Sequence, residues 1–228
     1  MKILFTTFCS PEYAPLGDLV LPARINYCKK HGYGLHVQRT PVSDRGPGWD
    51  KTIILQTALQ HADVVVWNGL DVLFMNQSFR VETILDQYPK ASVILTTDFL
   101  GLNSDNMIFR RDVWSAQLLA AVNTLGYPFF KGHIWAEQEA LIRFISAPPY
   151  AEHIAWVPQN TMNSYLNDVY GRPTEWPGHY QPGDWLIHLP GIPMPKRLEL
   201  ARKYLRLHKA AEVSGNVCDE TISQSARS

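Results

Sequence analysis

The chain has 228 residues, of which 46% are hydrophobic and 18% charged, a length and composition typical of a folded domain with its own core. Lysine plus arginine and aspartate plus glutamate number 21 each, so no net charge favours binding of nucleic acid or an anionic membrane. The three cysteines lie at positions 9, 28 and 218 without paired spacing, which argues against a disulfide framework or a zinc knuckle and favours a reducing compartment.

The first third of the chain alternates apolar runs typical of buried strands with helical patterns. The predicted strands are residues 2–8, 36–40 and 64–67, and the predicted helices are residues 19–30, which Gly32 ends, and 51–60. The first apolar run is too short for a signal-peptide core, and no window approaches the roughly eighteen apolar residues of a membrane span. The sequence therefore predicts a soluble, cytoplasmic protein without a membrane span.

The rest of the chain continues this alternation of strands and helices until its amino-acid composition changes near residue 148. Helices are predicted at 81–87, at 113–125 with Gly126 as the stop, at 136–145 and at 196–211, and strands at 92–98, 107–110, 155–157 and 185–188. Prolines, glycines and aromatics dominate residues 148–195, and long loops of this kind on an α/β scaffold often carry the site. Residues 1–211 are predicted to form one domain, followed by a disordered tail at 212–228.

Alternating strands and helices predict an α/β fold with a mostly parallel central sheet and helices on both faces. Ligands of such sheets bind at the carboxyl ends of the strands. The chain has no GxGxxG after its first strand and no GxxxxGK[ST], so neither a dinucleotide site nor a P-loop is supported. Two predicted strands instead end at an acid, Asp71 in VVVWNGLDVLFMN and Asp98 in SVILTTD.

Seven motifs follow one another in the order found in the galactosyl/mannosyl/xylosyltransferase family, which the chain resembles over residues 1–195. Yeast Golgi α-mannosyltransferases and plant xyloglucan α-xylosyltransferases belong to that family. The motifs are NYCKKHGY (26–33), the Trp49 and Lys51 pair, WNGLDVLFMN (67–76), DFLGLNSDNMIFRRDVWS (98–115), WAEQEAL (135–141), VPQNTMNSY (157–165) and GDWLIHLPG (183–191).

The resemblance implies a GT-A fold and a retaining transfer of sugar from a nucleotide-diphosphate donor, a UDP- or GDP-sugar, to a glycan or polysaccharide acceptor. It also implies Mn²⁺ or Mg²⁺, with Asp71 in the place of the second acid of a DxD motif and His188 in the place of the family's histidine. Residue 69 is glycine where the first acid belongs. Two interpretations stay open: a weakened metal site, or a glycine that the backbone or a close ligand requires.

The resemblance assigns further residues to the site. Glu137 and Gln138 match the pair that lies near the reacting carbon, and because glutamine is a poor nucleophile, Gln138 is expected to act electrostatically. Asp105 replaces an expected glycine, which either narrows the sugar pocket or faces solvent. The residues assigned to donor binding are Thr6, Thr7, Lys51, Asn68, Asp98, Asn103 and Ser104.

Ordinary structural roles compete with several of these assignments. A threonine at a strand end needs no function, a helical lysine is commonly solvated, and Glu137 suits the first turn of a helix. Two other activities also stay open: a nucleotide-sugar-binding member without turnover, and a sugar nucleotidyltransferase. The latter would be expected to carry a glycine-rich loop with a lysine after the first strand, which CSPEYAPLGD does not provide.

Overall fold

A computed structural model describes residues 1–171 and 176–207. Its strands are β1 (Ile3–Phe8), β2 (Gly34–Gln38), β3 (Val64–Asn68), β4 (Val72–Phe74), β5 (Val93–Asp98), β6 (Gly101–Arg110), β7 (Ile154–Val157), β8 (Ser164–Tyr165) and β9 (Leu186–His188). Six of them form the central sheet in the order β2-β1-β3-β6-β5-β7, and β4, β9 and β8 form a second, small sheet.

The helices surround the central sheet. They are α1 (Ala14–His31), α2 (Pro47–Ala58), α3 (Glu82–Gln87), α4 (Val113–Ala121), α5 (Tyr127–Phe130), α6 (Ala136–Ile145), α7 (Gln159–Met162), α8 (Asn167–Tyr170) and α9 (194–207). The end of the helix predicted at 196–211 and the tail predicted at 212–228 lie outside the described residues. Among the residues described, no helix has the length and apolar character to cross a membrane.

The central sheet is buried on both faces, as the apolar runs predict. Val64 and Val66 of β3 join the core cluster that contains Tyr27 of α1, whereas Val65 and Trp67 join the cluster formed with α2, α4 and α6. Successive side chains of a strand point to opposite faces, so this split places a helical layer on each side. Strand β6 runs antiparallel to β3 and β5, and the other pairs of the central sheet are parallel. The predicted fold class is confirmed.

The helix predicted to stop at Gly126 does not stop there. Helix α4 passes into a π-helical turn at Val122–Gly126 and then into α5. Gly126 has an ordinary helical φ of −70°, and a Cβ built on it would lie 2.7 Å from the Cβ of Ala140. The glycine therefore permits close packing against α6 and does not cap the helix, which is why the sequence signal is misleading here.

Strand β6 and the small sheet bring the predicted site segments together. Asn103 and Ser104, expected to contact the donor, belong to the long strand β6, in which Asn103 pairs with Thr96 of β5 and Asn106 with Asn68 of β3. In the small sheet, Val72 of β4 is opposite His188 of β9, and the amide of Leu189 donates to the carbonyl of Asp71 at 3.0 Å. This pairing places the predicted histidine beside the predicted acid.

Candidate metal and donor site

The turn between β3 and β4 carries Asp71 and is held from below by Arg24 of α1. The guanidinium of this buried arginine donates to the carbonyls of Asn68 at 3.3 Å, Gly69 at 2.9 Å and Val72 at 3.1 Å. Burial lowers the pKa of Arg24 to about 10, so the side chain stays charged at neutral pH. A buried cation that satisfies three carbonyls fixes the backbone from which Asp71 projects.

His188 is fully buried, and its two ring nitrogens have different environments. Nδ1 lies 2.7 Å from Oδ1 of Asn163, whose amide nitrogen donates to the carbonyl of Thr97 at 3.3 Å. Because that bond defines Oδ1 of Asn163 as the acceptor, Nδ1 of His188 must be the donor. Nε2 is then the nitrogen left for another partner, and it has no hydrogen-bond partner among the described residues.

The free nitrogen of His188 faces two carboxylates. Nε2 lies 3.5 Å from Oδ1 of Asp71 and 3.6 Å from Oδ2 of Asp105. One donor atom from each of the three side chains lies within 4.8 Å of the others. The side chains of Asp71 and Asp105 are 13% and 36% exposed, so the cluster is open to solvent on the side of the carboxylates.

The other oxygen of each carboxylate is held by a cation. Oδ2 of Asp71 lies 3.1 Å from the guanidinium of Arg197 in α9, and Oδ1 of Asp105 lies 3.0 Å from Nζ of Lys51 in α2. Burial alone would raise the pKa of Asp105, but the Lys51 ammonium outweighs it and lowers that pKa. Asp105 is therefore ionised, with one oxygen committed to Lys51 and the other turned toward His188.

Lys51 is not a solvated helix lysine. Its Nζ also lies 2.7 Å from Oε1 of Glu137 and donates to Oγ of Ser104 at 2.9 Å. Burial by itself would lower the pKa of Lys51, but Asp105 and Glu137 outweigh it, so the pKa is raised and the side chain stays charged. The lysine joins α2, β6 and α6 at one point, and its charge is directed at protein carboxylates.

Glu137 and Gln138 begin α6 beside β6. Glu137 is buried and accepts from Ser104 Oγ at 3.0 Å in addition to its ion pair with Lys51, so it is not a free nucleophile. Oε1 of Gln138 accepts from the amide of Ser104 at 3.0 Å, which orients the carboxamide. Ala136, just before this pair, has a positive φ of 41°, a strained conformation for a residue with a Cβ.

Asp98 and Asn103 lie together at the β5–β6 hairpin. Oδ2 of Asp98 accepts from Nδ2 of Asn103 at 3.1 Å and from the hydroxyl of Tyr165 at 2.7 Å. The Tyr165 ring in turn packs against His188, with ring centroids 5.6 Å apart. The hairpin is thus linked to the carboxylate–histidine cluster through one tyrosine.

Six of the seven residues assigned to donor binding are buried, and three of them lie away from the carboxylates of the site. Thr6, Thr7 and Asn68 are all buried, and the hydroxyls of the two threonines have no hydrogen-bond partner among the described residues. Nδ2 of Asn68 donates to Oδ1 of Asn106 at 2.8 Å, and Nδ2 of Asn106 donates to Oδ1 of Asn163 at 3.1 Å. Asn68 therefore supports the residue that orients His188.

Four residues of the site have no assigned role in the sequence analysis: Arg24, Asn163, Arg197 and Asp105. The first three are single polar residues in ordinary helical or loop patterns, and their importance depends on contacts with distant segments. Asp105 is noticed as a departure from the family pattern, but its direction depends on the pairing of β6 with β3. The sequence offers one signal for these residues, which is Arg24 at a position of the predicted helix where the spacing calls for an apolar residue.

The donor set fits a divalent cation. Neighbouring ligands of an octahedral Mg²⁺ or Mn²⁺ lie about 3 Å apart, and Nε2 of His188 lies 3.5 and 3.6 Å from the two carboxylate oxygens that face it. Carboxylate oxygens suit both ions. The bond from His188 to Asn163 is the kind of outer contact that fixes the tautomer of a ligating histidine.

Comparison with solved structures defines the class of the fold. A glycosyltransferase involved in glycosylation of the major capsid of the virus PBCV-1 has a TM-score of 0.71 and 13% identity, covering 89% of this chain and 100% of the other. The galactosyltransferase LgtC, solved with donor and acceptor sugar analogues, has a TM-score of 0.57 and 11% identity, covering 92% of this chain and 96% of the other. The glycosyltransferase GlyE of Streptococcus pneumoniae TIGR4 has a TM-score of 0.62 and 10% identity, covering 95% of this chain and 64% of the other. The chain has the GT-A glycosyltransferase fold.

Sequence comparison then gives the family. Residues 85–197 match the sequence model of the galactosyl transferase GMA12/MNN10 family. This match confirms the family that the order of the motifs predicts. Curated protein sequences give no significant match to the chain.

Proposed function

We propose that the protein transfers a sugar, with retention of configuration, from a UDP- or GDP-sugar to a hydroxyl of a glycan or polysaccharide. The family match and the GT-A fold support sugar transfer. The proposal adds the donor class, the acceptor class, the stereochemistry and a requirement for Mn²⁺ or Mg²⁺ held by Asp71 and His188.

One observation carries the metal part of the proposal. Nε2 of His188 is buried, faces the carboxylates of Asp71 and Asp105 and has no hydrogen-bond partner among the residues described. Leaving a buried polar nitrogen without a partner costs about 1–3 kcal/mol. A cation between the three groups would satisfy this nitrogen and balance the charge of the two carboxylates. When bound, such a cation would stabilise the negative charge that grows on the departing diphosphate.

Gln138 is proposed to act on the sugar without forming a bond to it. Oε1 of Gln138 accepts a hydrogen bond from the amide of Ser104, and this contact fixes the orientation of the carboxamide. The side-chain NH₂ group of Gln138 can then donate hydrogen bonds to the sugar. Glu137 is held by Lys51 and Ser104, so no free carboxylate is offered there as a nucleophile.

This arrangement favours a front-face substitution. The bond from the anomeric carbon to the phosphate oxygen breaks, the acceptor oxygen forms its bond on the same face, and the departing phosphate takes the acceptor's proton. Asp98, Asn103 and Ser104 are proposed to line the sugar side of the site, and Lys51 to hold Asp105 and Glu137 in place. The buried residues Thr6, Thr7 and Asn68 are proposed to support the nucleotide side from within.

Incubation with a panel of UDP- and GDP-sugars, with and without Mn²⁺, tests the proposal. The expected result is metal-dependent release of nucleoside diphosphate with one donor, and a glycoside product whose anomeric configuration by NMR is that of the donor. Nucleotide-sugar binding without release would indicate the non-catalytic alternative. Pyrophosphate release from nucleoside triphosphate and a sugar 1-phosphate would indicate a nucleotidyltransferase.

A further inference from the structure

Gly69, which directly follows β3, faces Asp105 of the neighbouring strand β6. Asn68, the last residue of β3, is opposite Asn106 of β6, and the amide of Gly69 donates to the carbonyl of Asp105 at 2.7 Å. In an antiparallel pair, side chains at opposite positions share one face of the sheet and lie close together. A side chain at position 69 and the side chain of Asp105 therefore project toward the same region.

That region is already filled by Asp105. A Cβ built on Gly69 would lie 3.2 Å from both Cβ and Cγ of Asp105 and 2.9 Å from Oδ1 of Asp71. Gly69 does not have a positive φ, so its conformation does not require glycine. A side chain at position 69 would instead crowd Asp105 and the end of the Asp71 side chain.

The carboxylate that uses this space faces the proposed metal ligands. Oδ2 of Asp105 lies 3.6 Å from Nε2 of His188, while Oδ1 is held at 3.0 Å by Lys51. Asp71 has the same division, with Oδ1 facing Nε2 and Oδ2 held by Arg197. Two cations thus hold the outer oxygens and leave one oxygen of each acid directed at the histidine.

We propose that Asp105 of β6 supplies the second carboxylate of the metal site from the space that a side chain at position 69 would occupy, and that Gly69 makes room for it. The inference rests on the proposed metal-dependent function. The DxD pattern places its two acids two residues apart in one segment of the chain. In this protein the two acids would come from two segments, Asp71 from the β3–β4 turn and Asp105 from β6. It also implies that the carboxylate can be carried at position 69 or at position 105, but not at both.

An exchange of the two residues tests the proposal. Binding of Mn²⁺ alone is measured from the electron paramagnetic resonance signal of the free ion, and folding from thermal unfolding. We expect Asp105→Asn and Asp105→Gly to weaken Mn²⁺ binding at least about tenfold. Losing a residue that only hydrogen-bonds to a metal ligand already costs about that much, and Asp105 is proposed to be a ligand itself. Gly69→Asp alone should lower the unfolding temperature because its Cβ would crowd Asp105 and the end of the Asp71 side chain. The double variant Gly69→Asp/Asp105→Gly should bind Mn²⁺ more tightly than Asp105→Gly. It should also regain part of the stability that Gly69→Asp loses, because the contact with Asp105 is removed.

A matched control makes the same pair of changes elsewhere. Gly132 has no atom within 4 Å of a built Cβ, and Asp44 lies in an exposed loop, so Gly132→Asp/Asp44→Gly should bind Mn²⁺ as the wild type does. Wild-type affinity in folded Asp105→Asn, or a double variant no better than Asp105→Gly, would overturn the inference while leaving the proposed function in place. Absence of Mn²⁺ binding by the wild type would overturn both the inference and the metal requirement.

Discussion

At the scale of single residues, the environment of His188 sets what the site can bind. Its Nδ1 is committed to Asn163, and its Nε2 faces two acids. The contact with Asn163 thus leaves Nε2 as the ring nitrogen that can take a ligand. The site depends on Asn163 as well as on the ligands.

Asn163→Leu tests this dependence. Loss of the acceptor at Nδ1 frees the ring proton to move to Nε2, so we expect Mn²⁺ affinity to fall about 10–100-fold, the usual cost of losing an outer partner of a metal ligand. Calorimetric titration with Mn²⁺ measures it. Asn160→Ala, which removes a neighbouring carboxamide, is the control, and an equal effect of the two changes would contradict the assigned role.

Gln138→Ala separates binding from turnover. A group that acts on developing charge stabilises the transition state more than the bound donor, so kcat should fall about 100-fold with little change in donor affinity. Steady-state kinetics and a donor titration measure the two quantities. Glu139→Gln, on the same helix and paired with Arg143, should leave kcat close to the wild-type value. Unchanged kcat in Gln138→Ala would remove this residue from the mechanism.

The sequence predicts some residues of the site better than others. The structure places Asp71 and His188 3.5 Å apart, and both positions come from motifs with a fixed order along the chain. The role of Lys51 could not be predicted, because an isolated lysine at the start of a helix is commonly solvated. Its burial depends on two acids, Asp105 and Glu137, that are 54 and 86 residues away along the chain.

At the scale of elements, the contact between α2 and α6 depends on the absence of a side chain. Gly48 lies in the first turn of α2, where alanine normally stabilises a helix by up to about 1 kcal/mol relative to glycine. A Cβ at this position would overlap Oε2 of Glu137. The glycine therefore leaves space for the buried acid that pairs with Lys51.

Gly48→Ala should consequently destabilise the protein by about 1–3 kcal/mol, the usual cost of overpacking. In a Glu137→Ala background the same change should instead have no effect or stabilise, because the overlapping carboxylate is absent. Urea unfolding of the four proteins in this cycle measures both values. The same sign and size in both backgrounds would contradict a contact between Gly48 and Glu137.

Arg24 tests the contact between α1 and the β3–β4 turn. Arg24→Met keeps most of the buried volume but leaves three carbonyls without their donor, so a loss of about 2–4 kcal/mol is expected. Lys29→Met, at an exposed position of α1, should change the free energy of unfolding by no more than about 0.5 kcal/mol. Equal losses in the two variants would show that Arg24 does not hold the turn.

Helices and strands are predicted well from the sequence where neighbouring residues determine them, and poorly where distant contacts do. Helix α6 is found at the predicted residues, 136–145, because its apolar spacing and its acidic first turn agree. The small sheet is harder to predict, since β4 and β8 have three and two residues and their pairing with β9 is set by tertiary contacts. The continuation of α4 past Gly126 likewise depends on Ala140, which belongs to another helix.

At the scale of the whole molecule, the α/β fold brings residues from six segments together at a single site. They come from α2, the β3–β4 turn, β6, α6, β9 and α9, and the central sheet positions them through the antiparallel insertion of β6 next to β3. The order of elements along the chain predicts an α/β fold, and the resemblance of the motifs implies the GT-A class. Neither predicts this convergence, because the antiparallel strand changes which residues become neighbours.

The central claim is that Asp71 and His188 hold a divalent cation that couples to donor binding. The most direct measurement is a calorimetric titration of UDP and GDP, with and without Mn²⁺, into the wild type, Asp71→Ala and His188→Ala. Thermal unfolding serves as the check on folding, and Lys29→Met serves as the surface control. We expect Mn²⁺ to tighten nucleotide binding in the wild type and the control, and to have no effect in the two site variants. Wild-type affinity and Mn²⁺ dependence in both folded site variants would contradict the claim.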